Sequence, residues 1–126
     1  MSIEHEQAKL IRVQGALKVL GARETETYFE IKERKELIED VDRGLSRLRT
    51  NRRAMKRSKV VSLETYSYTL SLMTAKIKSR REANEQLNNA IAKLQRVKKE
   101  IEEKSKELEK VNETIRGYGN VLEFKK

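Results

Sequence analysis

Apolar residues recur along this chain at alternating intervals of four and three, and that period admits few folds. One line of positions runs Ile3, Leu10, Leu17, Glu24, Ile31, Ile38, Leu45 and Arg52. A second runs Glu6, Val13, Leu20, Thr27, Arg34, Val41, Leu48 and Met55. A half-buried strand alternates every two residues, so this spacing specifies helix. A seven-residue repeat buries a stripe about two residues wide, the seam of a coiled coil. The pattern restarts at Leu63. Its first line is Leu63, Leu70, Ile77, Asn84, Ile91, Lys98, Ser105 and Asn112. Its second is Tyr66, Met73, Arg80, Leu87, Leu94, Ile101, Leu108, Ile115 and Leu122.

Composition agrees with long helices that share one narrow seam. Of 126 residues, 39% are charged, 5% are aromatic and none is proline. That is too little apolar matter for a compact globule, and one domain is the upper bound. Without cysteine there is no disulfide and no thiolate chemistry. No apolar run is long enough to span a bilayer. The stretch MSIEHEQAKL is polar and acidic, unlike a signal peptide. The expectation is a soluble, cytoplasmic protein.

Between residues 55 and 63 the two frames are offset by four. Either the chain reverses into an antiparallel hairpin, or one continuous helix carries a stutter and pairs with a second copy. The lack of Gly or Pro speaks for the continuous helix. Val60 and Val61 are weak helix formers, and Ser62 followed by Glu64 reads as an N-cap, which speaks for the turn. Register favours the turn. If facing residues sum to 118, Leu45 meets Met73, Leu48 meets Leu70, Val41 meets Ile77, and Met55 meets Leu63. Ile31 then meets Leu87, and Leu17 meets Ile101. In a parallel dimer Glu24, Arg34, Arg52, Arg80 and Lys98 would each face their own copy, which destabilises a seam.

The reading is therefore all-α: an elongated antiparallel two-helix coiled-coil hairpin, oligomeric, in a single domain. Its first arm covers about 3–57, its turn about 58–62, its second arm about 63–116 and a short tail 117–126. Gly21 lies beside the seam interruptions Glu24 and Thr27, which predicts a bend or break there. The ending RGYGNVLEFKK predicts a helix exit at Gly117 to Gly119, with Val121, Leu122 and Phe124 packing back. Ala83, Ala90, Val97, Val111 and Tyr118 flank the second arm's seam. A two-helix hairpin would leave that flank wet, so it is a candidate surface for a partner helix. The plainer reading is one broad stripe facing the core.

Charge is the second constraint. Residues 47–59 read RLRTNRRAMKRSK, with seven basic residues and no acid. A reversal near Lys59 would gather Arg43, Arg47, Arg49, Arg52, Arg53, Lys56, Arg57, Lys59, Lys76, Lys78, Arg80 and Arg81 in one half of the hairpin, against Asp42 and Glu64. The surplus of ten there accounts for the whole chain's formal charge of +9, since the remainder carries 17 basic and 18 acidic residues. Like charges crowded within a screening length of about 8–10 Å cost stability, and a polyanion would offset that cost. Arg predominates, and its planar fork suits phosphate oxygens. DNA or RNA phosphates and an acidic protein surface are the two partners considered. No base-reading motif is present, so nucleic-acid binding would be sequence-independent. Tyr66 and Tyr68 could stack on bases, with Tyr66 on the seam and so read as core. No membrane insertion is expected, because the tip lacks the Trp, Phe and Leu that would enter lipid.

Catalysis is not expected. His5 is the single histidine, and alone it builds no usual zinc site. GARE and GYGN are isolated glycines rather than phosphate loops. Carboxylates on a helical rod have no enclosing pocket to tune them. No cofactor and no small-molecule substrate are implied. The function expected is a non-enzymatic scaffold or adaptor that associates with itself or with a larger assembly.

The stretch IRVQGALKVLGARETE is similar to the start of the stalk subunit of flagellar and type III secretion export ATPases. That resemblance implies a stalk-like hairpin working beside an ATPase. The layout also resembles the tRNA-binding arm of seryl-tRNA synthetases, where the arm is attached to a catalytic domain. Neither resemblance assigns a binding residue to this chain.

Overall fold

The computed structural model describes residues 2–58 and 60–124, the side chains of 120–124 excepted. It is a hairpin of two helices, α1 (Ile3–Arg57) and α2 (Leu63–Phe124), packed against each other with no strand among the described residues. The continuous-helix alternative is thereby excluded.

Side-chain chemistry sets the helix ends. The Ser2 hydroxyl accepts the His5 N–H at 3.2 Å, and Glu4 and Glu6 occupy the positive first turn of α1. Lys56 and Arg57 sit in its negative last turn. Ser62 caps α2: its hydroxyl accepts the Thr65 N–H at 3.2 Å, its carbonyl accepts the Tyr66 N–H, and Glu64 lies in the first turn. In the connection the Val60 N–H donates to the Ser58 hydroxyl at 3.3 Å. Caps rather than Gly or Pro therefore mark the reversal.

Two expectations about helix continuity fail. α1 runs unbroken through Gly21, and α2 runs through Gly117 and Gly119 to Phe124. No glycine has positive φ. Around Gly21 the helix is held by the burial of Leu20 and Thr27 rather than by contacts of the glycine itself. Thr27, a polar interruption of the seam, is 0% exposed, and its hydroxyl donates to the Arg23 carbonyl at 2.7 Å. Tertiary burial of that kind overrides a glycine's cost of about 1 kcal/mol. The packing back of Val121, Leu122 and Phe124 falls outside the described side chains.

The chain divides into two compact units. One is Phe29–Ile91, which contains the connection; the other is the chain up to Tyr28 and from Ala92 onward. In the first, Val41, Leu45 and Met73 form a buried cluster, with Leu48 and Leu70 packed on it. These members match the 118 register at Leu45 with Met73 and Leu48 with Leu70. Ile77, expected opposite Val41, is 42% exposed and does not belong to this cluster. Met55 receives the Thr69 hydroxyl at 3.6 Å, and Leu63 stays in solvent. The face of α2 turned inward is instead the one carrying Thr69, Ala83 and Ala90, all buried. The other unit buries Val13 and Leu20 of α1 with Leu94, Val97 and Val111 of α2. Its Lys98 Nζ lies 5.3 Å from the Tyr28 ring centre, a cation–π distance.

The flank expected to stay wet is thus part of the hairpin's own core. Ala83 and Val111 are each 2% exposed, Ala90 and Val97 are buried, and Tyr118 is half-buried. The physical reason is size. Alanines let the helix backbones approach closely, whereas Asn84, Lys98 and Ser105 of the competing line would place polar groups in the seam. Those three are exposed.

Candidate polyanion interface at the helical connection

The basic residues near the connection do not form one patch. On α1, Arg49, Arg53 and Lys56 follow one another at intervals of four and three, so they share a helix face, and all are exposed. Arg57 adjoins them in the last turn, and Arg47 is exposed on the same helix. Arg52 occupies the seam line and is half-buried. Among the described residues none of these six has a carboxylate within ion-pair distance.

The α2 cations lie elsewhere. Arg80 Nε donates to Asp42 at 2.6 Å across the two helices. The Lys76 chain covers Gly44, with its Cε 3.4 Å from where a methyl group there would stand. Both therefore face the α1 stretch around Asp42 rather than the connection. Arg43 is ion-paired to Asp40 one turn away. Lys78 and Arg81 are exposed and form no ion pair among the described residues, although Glu82 and Glu85 follow within a helical turn. Lys59 lies outside the described residues. Arg43 and Arg80 are thus held by acids, and the unneutralised group nearest the connection belongs to the last three turns of α1.

That arrangement differs from the other unit. There Lys104 pairs with Glu107 at 3.2 Å and Lys106 with Glu102 at 3.4 Å, the ordinary alternation of a solvated helix. A shallow groove of about 290 Å³ in that unit is lined by Lys9, Arg12, Val13, Lys104 and Glu107. Its Glu107 supplies a counter-charge to Lys104. His5 is exposed, and no cluster of potential metal ligands occurs among the described residues.

Sequence reasoning missed one feature. Around the connection apolar side chains stand in solvent: Val60 is 92% exposed, Leu63 80% and Tyr68 66%, with Val61 partly exposed. Leu63 heads a seam line, and its expected partner Met55 is engaged by Thr69 instead. Its position in the first turn of α2, beyond the last residue of α1, was the available signal: no further layer exists there to cover it. Tyr66 is half-buried, in keeping with its seam position.

Comparison with family models, with curated proteins and with solved structures finds no match to this chain.

Proposed function

We propose that the chain is a non-enzymatic scaffold or adaptor whose connection-bearing end contacts a polyanion. The observation that carries this reading is the run of Arg47, Arg49, Arg53, Lys56 and Arg57, exposed on consecutive turns without an acidic partner among the described residues. Helices normally relieve such crowding with acids three or four residues away, as α2 does between residues 102 and 107. A site that keeps its cations unneutralised is suited to an external anion. Charge alone admits nucleic-acid phosphates or an acidic protein surface. The other unit, with Ile11 and Val19 exposed on α1, serves in this reading as the attachment to a second copy or a larger assembly. A cytoplasmic setting belongs to the same proposal. No helix among the described residues is long and apolar enough to cross a membrane.

Titration of the chain with duplex DNA, single-stranded RNA and heparin at two salt concentrations tests it. Binding should weaken steeply with salt, because each neutralised phosphate releases a counterion. Arg49→Glu, Arg53→Glu and Arg57→Glu together should abolish binding with helicity intact. Binding that survives this triple change refutes the assignment of the site.

A further inference from the structure

We propose that the connection between α1 and α2 docks on the surface of an anionic lipid bilayer. Val60, Val61 and Leu63 enter the headgroup boundary, and Arg53, Lys56 and Arg57 lie against lipid phosphates. The inference rests on the polyanion reading but puts lipid phosphate in place of its two candidate anions, and it departs from the expectation of no membrane insertion because Val60 and Leu63 stand exposed at the connection.

Two observations meet at this end of the molecule. The first is the unneutralised cations of the last turns of α1. The second is the apolar crown beside them, in which Val60 and Leu63 are almost wholly in water. Connections are normally built from Gly, Asn, Asp, Ser or Pro, which solvent tolerates. Here the residues between the capping serines and at the first position of α2 include two valines and a leucine. A nucleic-acid surface offers phosphates to the arginines and leaves these apolar groups unmatched, since such interfaces are strongly polar. A bilayer boundary presents both chemistries together: acyl chains a few ångströms beneath a plane of phosphates.

The spacing fits that layering. Leu63 opens α2, and Arg57 closes α1 on the other side of the same connection. Arg53 is four residues, roughly 6 Å of helix axis, further from the end. Interfacial segments bury their apolar side about 5–10 Å into the headgroup boundary. Long basic side chains extend their charged heads to the phosphate level while their stems stay apolar. Tyr68, exposed in the second turn of α2, is of the type enriched at membrane–water interfaces. The contact is peripheral.

Co-sedimentation of the full chain with two kinds of vesicle tests the inference: phosphatidylcholine alone, and phosphatidylcholine with phosphatidylserine. Binding is expected to the anionic vesicles only. Each cation near such a surface contributes about fivefold in affinity, so Arg53→Glu, Lys56→Glu and Arg57→Glu together should reduce binding by more than about a hundredfold. Val60→Ser with Leu63→Ser keeps every charge, and should weaken binding to anionic vesicles by about fivefold or more. Both residues are exposed, and unchanged circular dichroism checks that the hairpin persists. Ile11→Ser, an exposed apolar residue of the other unit, should leave binding as it was.

Equal binding of anionic vesicles by the Val60 and Leu63 variant overturns the inference, since it reduces the contact to nonspecific charge. Binding to DNA or RNA without binding to vesicles overturns it while the polyanion reading stands. Failure to bind vesicles, nucleic acid and heparin alike overturns both.

Discussion

Replacing Gly15 and Gly21 by alanine is expected to stabilise the protein. Both glycines lie inside α1, neither has positive φ, and a methyl group at either would meet no atom within 4 Å beyond its chain neighbours and its own helix backbone. The substitution therefore adds no clash. What changes is the cost of fixing the backbone, which favours Ala over Gly by about 1 kcal/mol per helical site, largely through the unfolded state. The sites are six residues apart, roughly 9 Å along the axis, and have no common neighbour there, so their effects should add to about 2 kcal/mol. With a urea m-value of about 2 kcal/mol/M, the midpoint of unfolding followed at 222 nm should rise by about 1 M. Gly44→Ala is the internal control. Its methyl group would touch Lys76 Cε at 3.4 Å and Nζ at 3.5 Å, so part of the gain goes to displacing that chain. The order expected is Gly15 and Gly21 above Gly44. A lower midpoint for Gly15→Ala or Gly21→Ala would refute the reasoning. It would mean that the open space beside α1 is filled in solution, with another chain in close approach to the glycines.

Other consequences follow from the packing. Leu45→Ala removes a 3%-exposed member of the cluster around Met73 and should cost about 2–5 kcal/mol, measured by urea denaturation. Ser62→Ala removes the hydroxyl that receives the Thr65 N–H and should cost about 1 kcal/mol, whereas Ser62→Asp should retain the cap. Asp42→Ala breaks the half-exposed pair with Arg80 at a cost under about 1 kcal/mol. The same change frees a cation, so elution from heparin should shift to higher salt. Thr27→Val keeps the shape of a fully buried side chain and releases only a hydroxyl bonded to its own helix, so stability should stay within about 1 kcal/mol of the parent.

Helix and hairpin were legible in the order of residues, and the expected register only in that Leu45, Leu48, Leu70 and Met73 share one cluster. Heptad spacing specifies helix, the four-residue offset near residue 59 locates the reversal, and Ser62 with Glu64 marks the new start. The arrangement of both seam lines on α1 also survives, because only one apolar stripe exists near its buried positions Val13, Leu20, Val41 and Leu45. On α2 the period is ambiguous. The line through Met73 and Leu94 is bordered on one side by Leu70, Ile77 and Ile91, and on the other by Thr69, Ala83, Ala90, Val97 and Val111. Either border completes a heptad. Packing against α1 selects the second, where small side chains let the helices approach and the one half-buried lysine, Lys104, is paired with Glu107. The candidate site divides in the same way. Arginine density near the connection is a property of composition and order. Which cations are neutralised across the hairpin, and that Leu63 is left uncovered, depends on which groups the opposing helix brings within a few ångströms, a distance that no one-dimensional pattern encodes.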